Sequence, residues 1–182
     1  MSSITRKIIT AAAILTIVAT FFFTAATPAT NVYASDPYME KNIPTSGMTN
    51  KDIEYMNQHE LAWLKSQNSV FNAALQLEAP FQKLIDRMVK RHGPAPTLDI
   101  ALGTYDTAFI AAQKVQLEAA KTLGAQSGFD AQGHVRNREW ALQTVTNGRE
   151  SLRNARLQLL VAIRKLHRDY AAWHNLLINH VK

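Results

Sequence analysis

From Ala141 onward the chain carries two rows of apolar residues, each repeating every seven positions. Ala141, Gly148, Ala155 and Ala162 form one row, and Val145, Leu152, Leu159, Leu166 and Trp173 form the other. A seven-residue repeat places both rows on one stripe of an α-helix, and no proline interrupts residues 135 to 181. The spacing therefore predicts a single helix over about 135–181, far beyond the ~11–12 residues of an average globular helix. At ~1.5 Å per residue it approaches about 70 Å, too long to be buried along its whole length in a compact globule, so a rod is expected. A small residue every heptad beside a large one lets an antiparallel neighbour approach closely.

Two neighbours are legible upstream. Met56, Trp63, Val70, Leu77 and Leu84 recur every seven residues, with Ile53, Leu64, Phe71, Ile85 and Met88 beside them, which predicts a helix over about 50–91. Thr49 or Asn50 can cap it, and Asp52 in the first turn opposes the positive helix end. Pro80 lies inside this stripe with helical sequence on both sides, so it should either kink one long helix or begin a second short one; the kink is favoured, because Ala79 is a poor cap for a new helix. "HGPAP" at 92–96 ends the segment. A second helix is predicted from Thr97, read as its cap, to Leu123, with Leu98, Leu102, Tyr105, Phe109, Ala112, Ala119 and Leu123 as its apolar stripe. Its further alanines make it the natural close neighbour of the long helix. Two short loops and three stripes imply an all-α fold: an elongated antiparallel three-helix bundle, up-down-up, with coiled-coil-like packing. The second helix is the shortest, so the end of the third, around Tyr170 to Val181, must cover the first helix alone, bind a partner or dimerise.

The N-terminal segment fixes the expected compartment. Arg6 and Lys7 precede an apolar stretch from Ile8 to Ala26, near the roughly 20 residues that a spanning helix needs. Thr10, Thr16, Thr20 and Thr24 weaken that stretch, Pro28 follows it, and Val32 and Ala34 suit the small-residue positions before a cut. Residues 1–34 read as a signal peptide cleaved near Ala34, with an uncleaved N-terminal anchor as the alternative. Residues 35–48, with two prolines and no periodicity, read as a flexible leader, and 49–182 as the helical bundle. The expected location is extracytoplasmic: periplasmic, cell-surface or secreted.

Composition narrows the chemistry. There is no cysteine, which excludes a disulfide framework, cysteine-linked lipid and cysteine-linked haem, so stability must come from packing. The net charge is +6, and the basic excess is concentrated late: residues 134–182 hold nine Lys/Arg against three Asp/Glu, whereas 35–133 hold nine against eleven. On a helix turning ~100° per residue, Arg138, Arg149, Arg153, Arg156, Arg164 and His167 fall in one sector beside the apolar stripe. This ridge suits carboxylate or phosphate contact by guanidinium groups; the competing reading is pairing with acids of the neighbouring helices.

Other candidates carry less. "HELAW" at 59–63 has Trp63 where a zinc-protease helix needs its second histidine. His167, His174 and His180 lack the ligand set of a metal site and suit the negative end of a helix. Trp63, Trp140 and Trp173 could line an interhelical pocket together with Met56, Tyr105 and Phe109; aromatics at heptad spacing read instead as core, and Trp140 departs from the stripe as a partly exposed contact residue. No phosphate-cradling loop or nucleophile signature is present, and no sequence-specific nucleic-acid reader.

The expected function is therefore a non-enzymatic, exported interaction, adaptor or chaperone-like module without cofactor or metal. Arg138, Arg149, Arg153, Arg156 and Arg164 would form its charged edge, and Trp173 and Leu177 its apolar contacts. The partner is another protein or a second copy. The alternative is an acidic polymer or anionic membrane surface bound through the arginine ridge; a further one is a small apolar ligand or metal held between helices.

Overall fold

The computed structural model describes residues 47–180, with side chains as far as Leu176. The chain divides into two units, Met1–Gly47 and Met48–Lys182, and the elements below belong to the second. The expected signal or anchor segment at 1–34, the leader up to residue 46 and the Leu177 side chain lie outside the described residues.

Four helices follow in order: α1 (Asn50–Leu75), α2 (Glu78–His92), α3 (Pro96–Gly124) and α4 (Arg138–His180). No strand occurs among the described residues, only an isolated bridge between Phe129 and Val135 in the last loop. No helix among the described residues is long and apolar enough to cross a membrane. α1, α3 and α4 pack on one another, most extensively α3 on α4, and α2 packs on α3.

The caps explain where the helices begin. Thr49 and Asp52 form a reciprocal pair: the Thr49 N–H donates to Asp52 Oδ2 at 2.6 Å, and the Asp52 N–H donates to Thr49 Oγ1 at 3.3 Å. Two otherwise orphaned donors are thereby satisfied at the start of α1. The Thr49 N–H first, and then the Thr49 hydroxyl, which donates to the same Oδ2 at 2.8 Å, hold the Asp52 carboxyl below its ordinary range. α4 begins at Arg138, three residues later than its periodicity suggests, because Asn137 caps it: its Oδ1 accepts from the Trp140 N–H at 3.1 Å.

Two expectations are corrected. α1 and α2 are separate helices rather than one helix over 50–91 kinked at Pro80, and the break falls at Gln76 and Leu77. Proline has no N–H to donate, and its ring excludes the carbonyl four residues back, which here belongs to Gln76. The break lets Pro80 sit in the first turn of α2, where a missing donor costs little, with Leu77 as a cap that offers no side-chain bond. At α3 the cap is Ala95 rather than Thr97, and Pro96 occupies the first turn. The fixed φ of proline initiates this helix without a capping side chain.

Helix directions follow from cross-helix bonds. Asn57 pairs with Gln126, Asn68 with Gln116, and the Ala74 carbonyl with the Tyr105 hydroxyl, so α1 and α3 run in opposite directions. Asn50 meets Arg138, Glu60 meets Arg149, and Gln67 meets the Leu152 carbonyl, so α1 and α4 run in the same direction. The heptad rows of α4 form its buried face: Ala141, Val145, Leu152, Ala155, Leu159, Ala162 and Leu166 all lie in the core. Gly148 is needed there for space, since a Cβ would enter the Leu123 side chain of α3.

The α3–α4 loop is built to hold its shape. The Gly128 carbonyl accepts from the N–H groups of Arg136 and Asn137, at a φ of 90° that side chains other than glycine rarely adopt. A Cβ at Gly128 would also strike the backbone of Ala141. Asp130 Oδ1 accepts from the N–H groups of Gln132 and His134, both at 2.9 Å, and these bonds, that of His134 first, lower its pKa. The Val135 N–H donates to Glu54 Oε1 at 2.9 Å, which fastens the loop to α1.

Candidate functional site

α4 has two flanks beside its buried stripe, and they differ in chemistry. One faces α1 and carries the predicted arginine ridge. The structure divides that ridge rather than presenting it whole. Arg149 turns inward: its Nε lies 2.7 Å from Glu60 Oε1, with Glu60 fully buried and the Arg149 side chain only 15% exposed. Desolvation raises the Glu60 pKa, opposed by the nearby Arg149 and, more weakly, by His59, whose Nδ1 lies 3.5 Å from the same oxygen. Arg138 donates to Asn50 Oδ1 and to the Met48 carbonyl, so it fastens the start of α1. Arg156 is half-buried, while Arg153, Arg164 and His167 are exposed.

Further round α4, away from the core, two aliphatic residues stand among these cations. Leu157 is 49% and Val161 64% exposed, one helical turn apart. With Arg153, Arg164 and Arg168 they make a mixed apolar and cationic strip on the outer face. Lys165 is tied to Asp169 at 2.6 Å beside it. Leu157 and Val161 lie outside the heptad rows, and that departure from the core period is the signal by which the sequence could have shown them.

Near its C-terminal end α4 behaves differently from the predicted contact surface. Tyr170 is buried against Phe81 of α2, with ring centroids 6.0 Å apart, so α2 covers this part of the helix. Trp173 is half-buried and leans on Tyr170 at 6.2 Å, and His174 stacks on Tyr170 at 6.1 Å. Burial raises the Tyr170 pKa.

The opposite flank of α4, beside α3, carries no arginine ridge. An open groove of about 930 Å³ runs between the two helices there. Gln143, Asn147, Ser151 and Asn154 line it from α4, and Glu118, Lys121 and Thr122 from α3. At its loop end stands Trp140, 59% exposed. Thr144 lies at the floor, its hydroxyl donating to the Ser127 carbonyl at 2.9 Å.

The interior between α1 and its neighbours contains polar side chains that periodicity did not mark. Asn57, Glu60, Gln67 and Gln116 are all buried. Asn57 and Gln126 exchange two amide bonds at 2.8 and 3.2 Å, and Gln67 Nε2 donates to the Leu152 carbonyl at 2.9 Å. Met56, Trp63, Tyr105 and Phe109, read as core or pocket, are buried together with the aliphatic residues, and the Phe71 ring lies tilted against Phe109 with centroids 5.9 Å apart. Burial pushes the Tyr105 hydroxyl up to about 12. Among the described residues no group of three histidine, aspartate or glutamate side chains is placed to hold a metal ion.

Compared with known proteins, the chain matches no family model, no curated protein and no solved structure.

Proposed function

We propose that the chain is an exported, non-enzymatic interaction module of the cell envelope or secreted fraction, built as an up-down-up, coiled-coil-like bundle. Its contact surface is the outer strip of α4. The observation that carries this reading is the pairing of exposed Leu157 and Val161 with Arg153, Arg164 and Arg168 on the face of α4 turned away from the core. Aliphatic groups that stay in water on a well-packed helix are stabilised when a partner covers them, and the flanking guanidinium groups favour an acidic rim on that partner.

Pull-down of partners by the Ser35–Lys182 chain, repeated with Leu157→Ser plus Val161→Ser, tests this. Partners that resist moderate salt and are lost from the double variant support the reading, because apolar burial is little screened. Partners retained by the variant would refute it. The exposed arginines favour a second reading, an acidic polymer or anionic membrane surface. Under that reading, binding falls steeply with salt, and Arg153→Ala plus Arg164→Ala weakens it more than the aliphatic changes do.

A further inference from the structure

The groove between α3 and α4 is separate from the strip just described and differs from it in charge and in lining. Its walls carry amides, hydroxyls, two carboxylates and one ammonium, with Trp140 and Ala125 the only apolar residues among them. Glu118 and Glu150 outweigh Lys121, so the lining is net −1 and unsuited to a polyanion. A lipid tail would meet no apolar residue along the groove besides Trp140 and Ala125, the remaining apolar surface being the carbon stems of polar side chains. From Trp140 to Asn154 the α4 wall extends about 21 Å at 1.5 Å per residue. That length suits an extended chain of several units rather than a single small molecule.

Trp140 is the informative residue. Its backbone is held by the Asn137 cap, and the next residue, Ala141, packs without exposure against the Gly128 turn. The indole is thus carried on an anchored stretch of backbone at the end of the groove. An exposed indole face is an apolar platform with a polar edge, which matches the C–H face of a pyranose ring. The amides of Gln143, Asn147 and Asn154 each offer both donors and an acceptor, as do paired hydroxyls of a sugar in return. A groove that mixes polar groups with apolar surface and carries one exposed aromatic face matches the C–H faces and hydroxyls of a sugar chain.

We propose that this groove binds a neutral or amine-bearing oligosaccharide, with one ring stacked on Trp140 and its neighbours hydrogen-bonded along the amide wall of α4. The test is titration calorimetry of the Ser35–Lys182 chain with three β-1,4-linked tetrasaccharides, of glucose, N-acetylglucosamine and glucosamine, with a heparin fragment as the polyanionic comparison. Saturable binding of at least one tetrasaccharide is expected. Trp140→Ala should weaken it about tenfold or more, as loss of a stacking partner does, while Trp173→Ala leaves it nearly unchanged. Asn147→Arg, an exposed change that fills the groove without touching the core, should weaken it as well. Circular dichroism of each variant checks that the helices remain. Silence with all three tetrasaccharides, binding that survives both Trp140→Ala and Asn147→Arg, or a response to heparin alone would each overturn the proposal.

Discussion

The two interfaces that α4 makes with its neighbours are built on opposite plans. Towards α3 the contact is close and almost wholly apolar, with Gly148 receiving Leu123 and the alanines of both helices facing inward. Towards α1 it carries the buried pair of Glu60 and Arg149 and the bond from Gln67 to the Leu152 carbonyl. Apolar contact is non-directional, so on the α3 side only the fit of Leu123 to Gly148 marks the register, whereas a polar group buried away from its partner costs about 1–3 kcal/mol. One seam thus contributes most of the packing energy, and the other adds polar partners that penalise a wrong register.

The largest expected effect is on the apolar seam. Leu123→Ala removes a fully buried side chain and should cost about 3–4 kcal/mol by urea denaturation. If the loss is below about 1 kcal/mol, the seam collapses to fill the gap and is less tightly packed than the Gly148 fit implies.

Next is the polar seam. Glu60→Ala leaves the Arg149 guanidinium poorly exposed and without its carboxylate, and about 3 kcal/mol should be lost. Glu60→Leu together with Arg149→Met should restore most of that loss, since a well-packed apolar pair often equals a buried ion pair. Equal loss in the single and double variants would show that the pair contributes net stability, against the division of labour drawn here.

A smaller effect is expected at Gly148. Gly148→Ala gains about 1 kcal/mol of helix propensity but forces Leu123 aside, which costs about 1–3 kcal/mol, so a net loss of about 1 kcal/mol is expected. In a Leu123→Ala background the same change should become stabilising, because the obstructing side chain is gone. A loss in both backgrounds would place the clash elsewhere.

The smallest effect is a slope in pH. Glu60 holds its proton to higher pH in the folded chain than in the unfolded one, because burial disfavours its charge. As pH rises above its ordinary value of 4.5 the unfolded state loses that proton first, so this contribution to stability falls until the raised folded value is passed. Asp52 and Asp130 act with the opposite sign: their lowered values give a contribution present above 3.8 and lost as pH falls below it. Denaturation midpoints measured across both intervals should show the upper slope vanish in Glu60→Gln and the lower one remain.

The buried face of each helix is legible in the sequence, because it depends on periodicity along one chain, whereas the number of helices is not, since α1 and α2 share one continuous stripe. The heptad rows of α4 were legible and lie in the core as far as Leu166, Thr49 was legible as one of two candidate caps though its reciprocal bonds with Asp52 were not, and the departure of Trp140 from the stripe marked it as exposed. Only the tertiary structure decided which arginines remain available. Arg149 and Arg153 are alike in sequence terms, and what separates them is Glu60, 89 residues away, opposite one and not the other. The place of the break before Pro80, the amide-lined groove and the strip of Leu157 and Val161 were settled in the same way. A local pattern sets which side of a helix turns inward; partners distant in sequence set what each flanking side chain meets there.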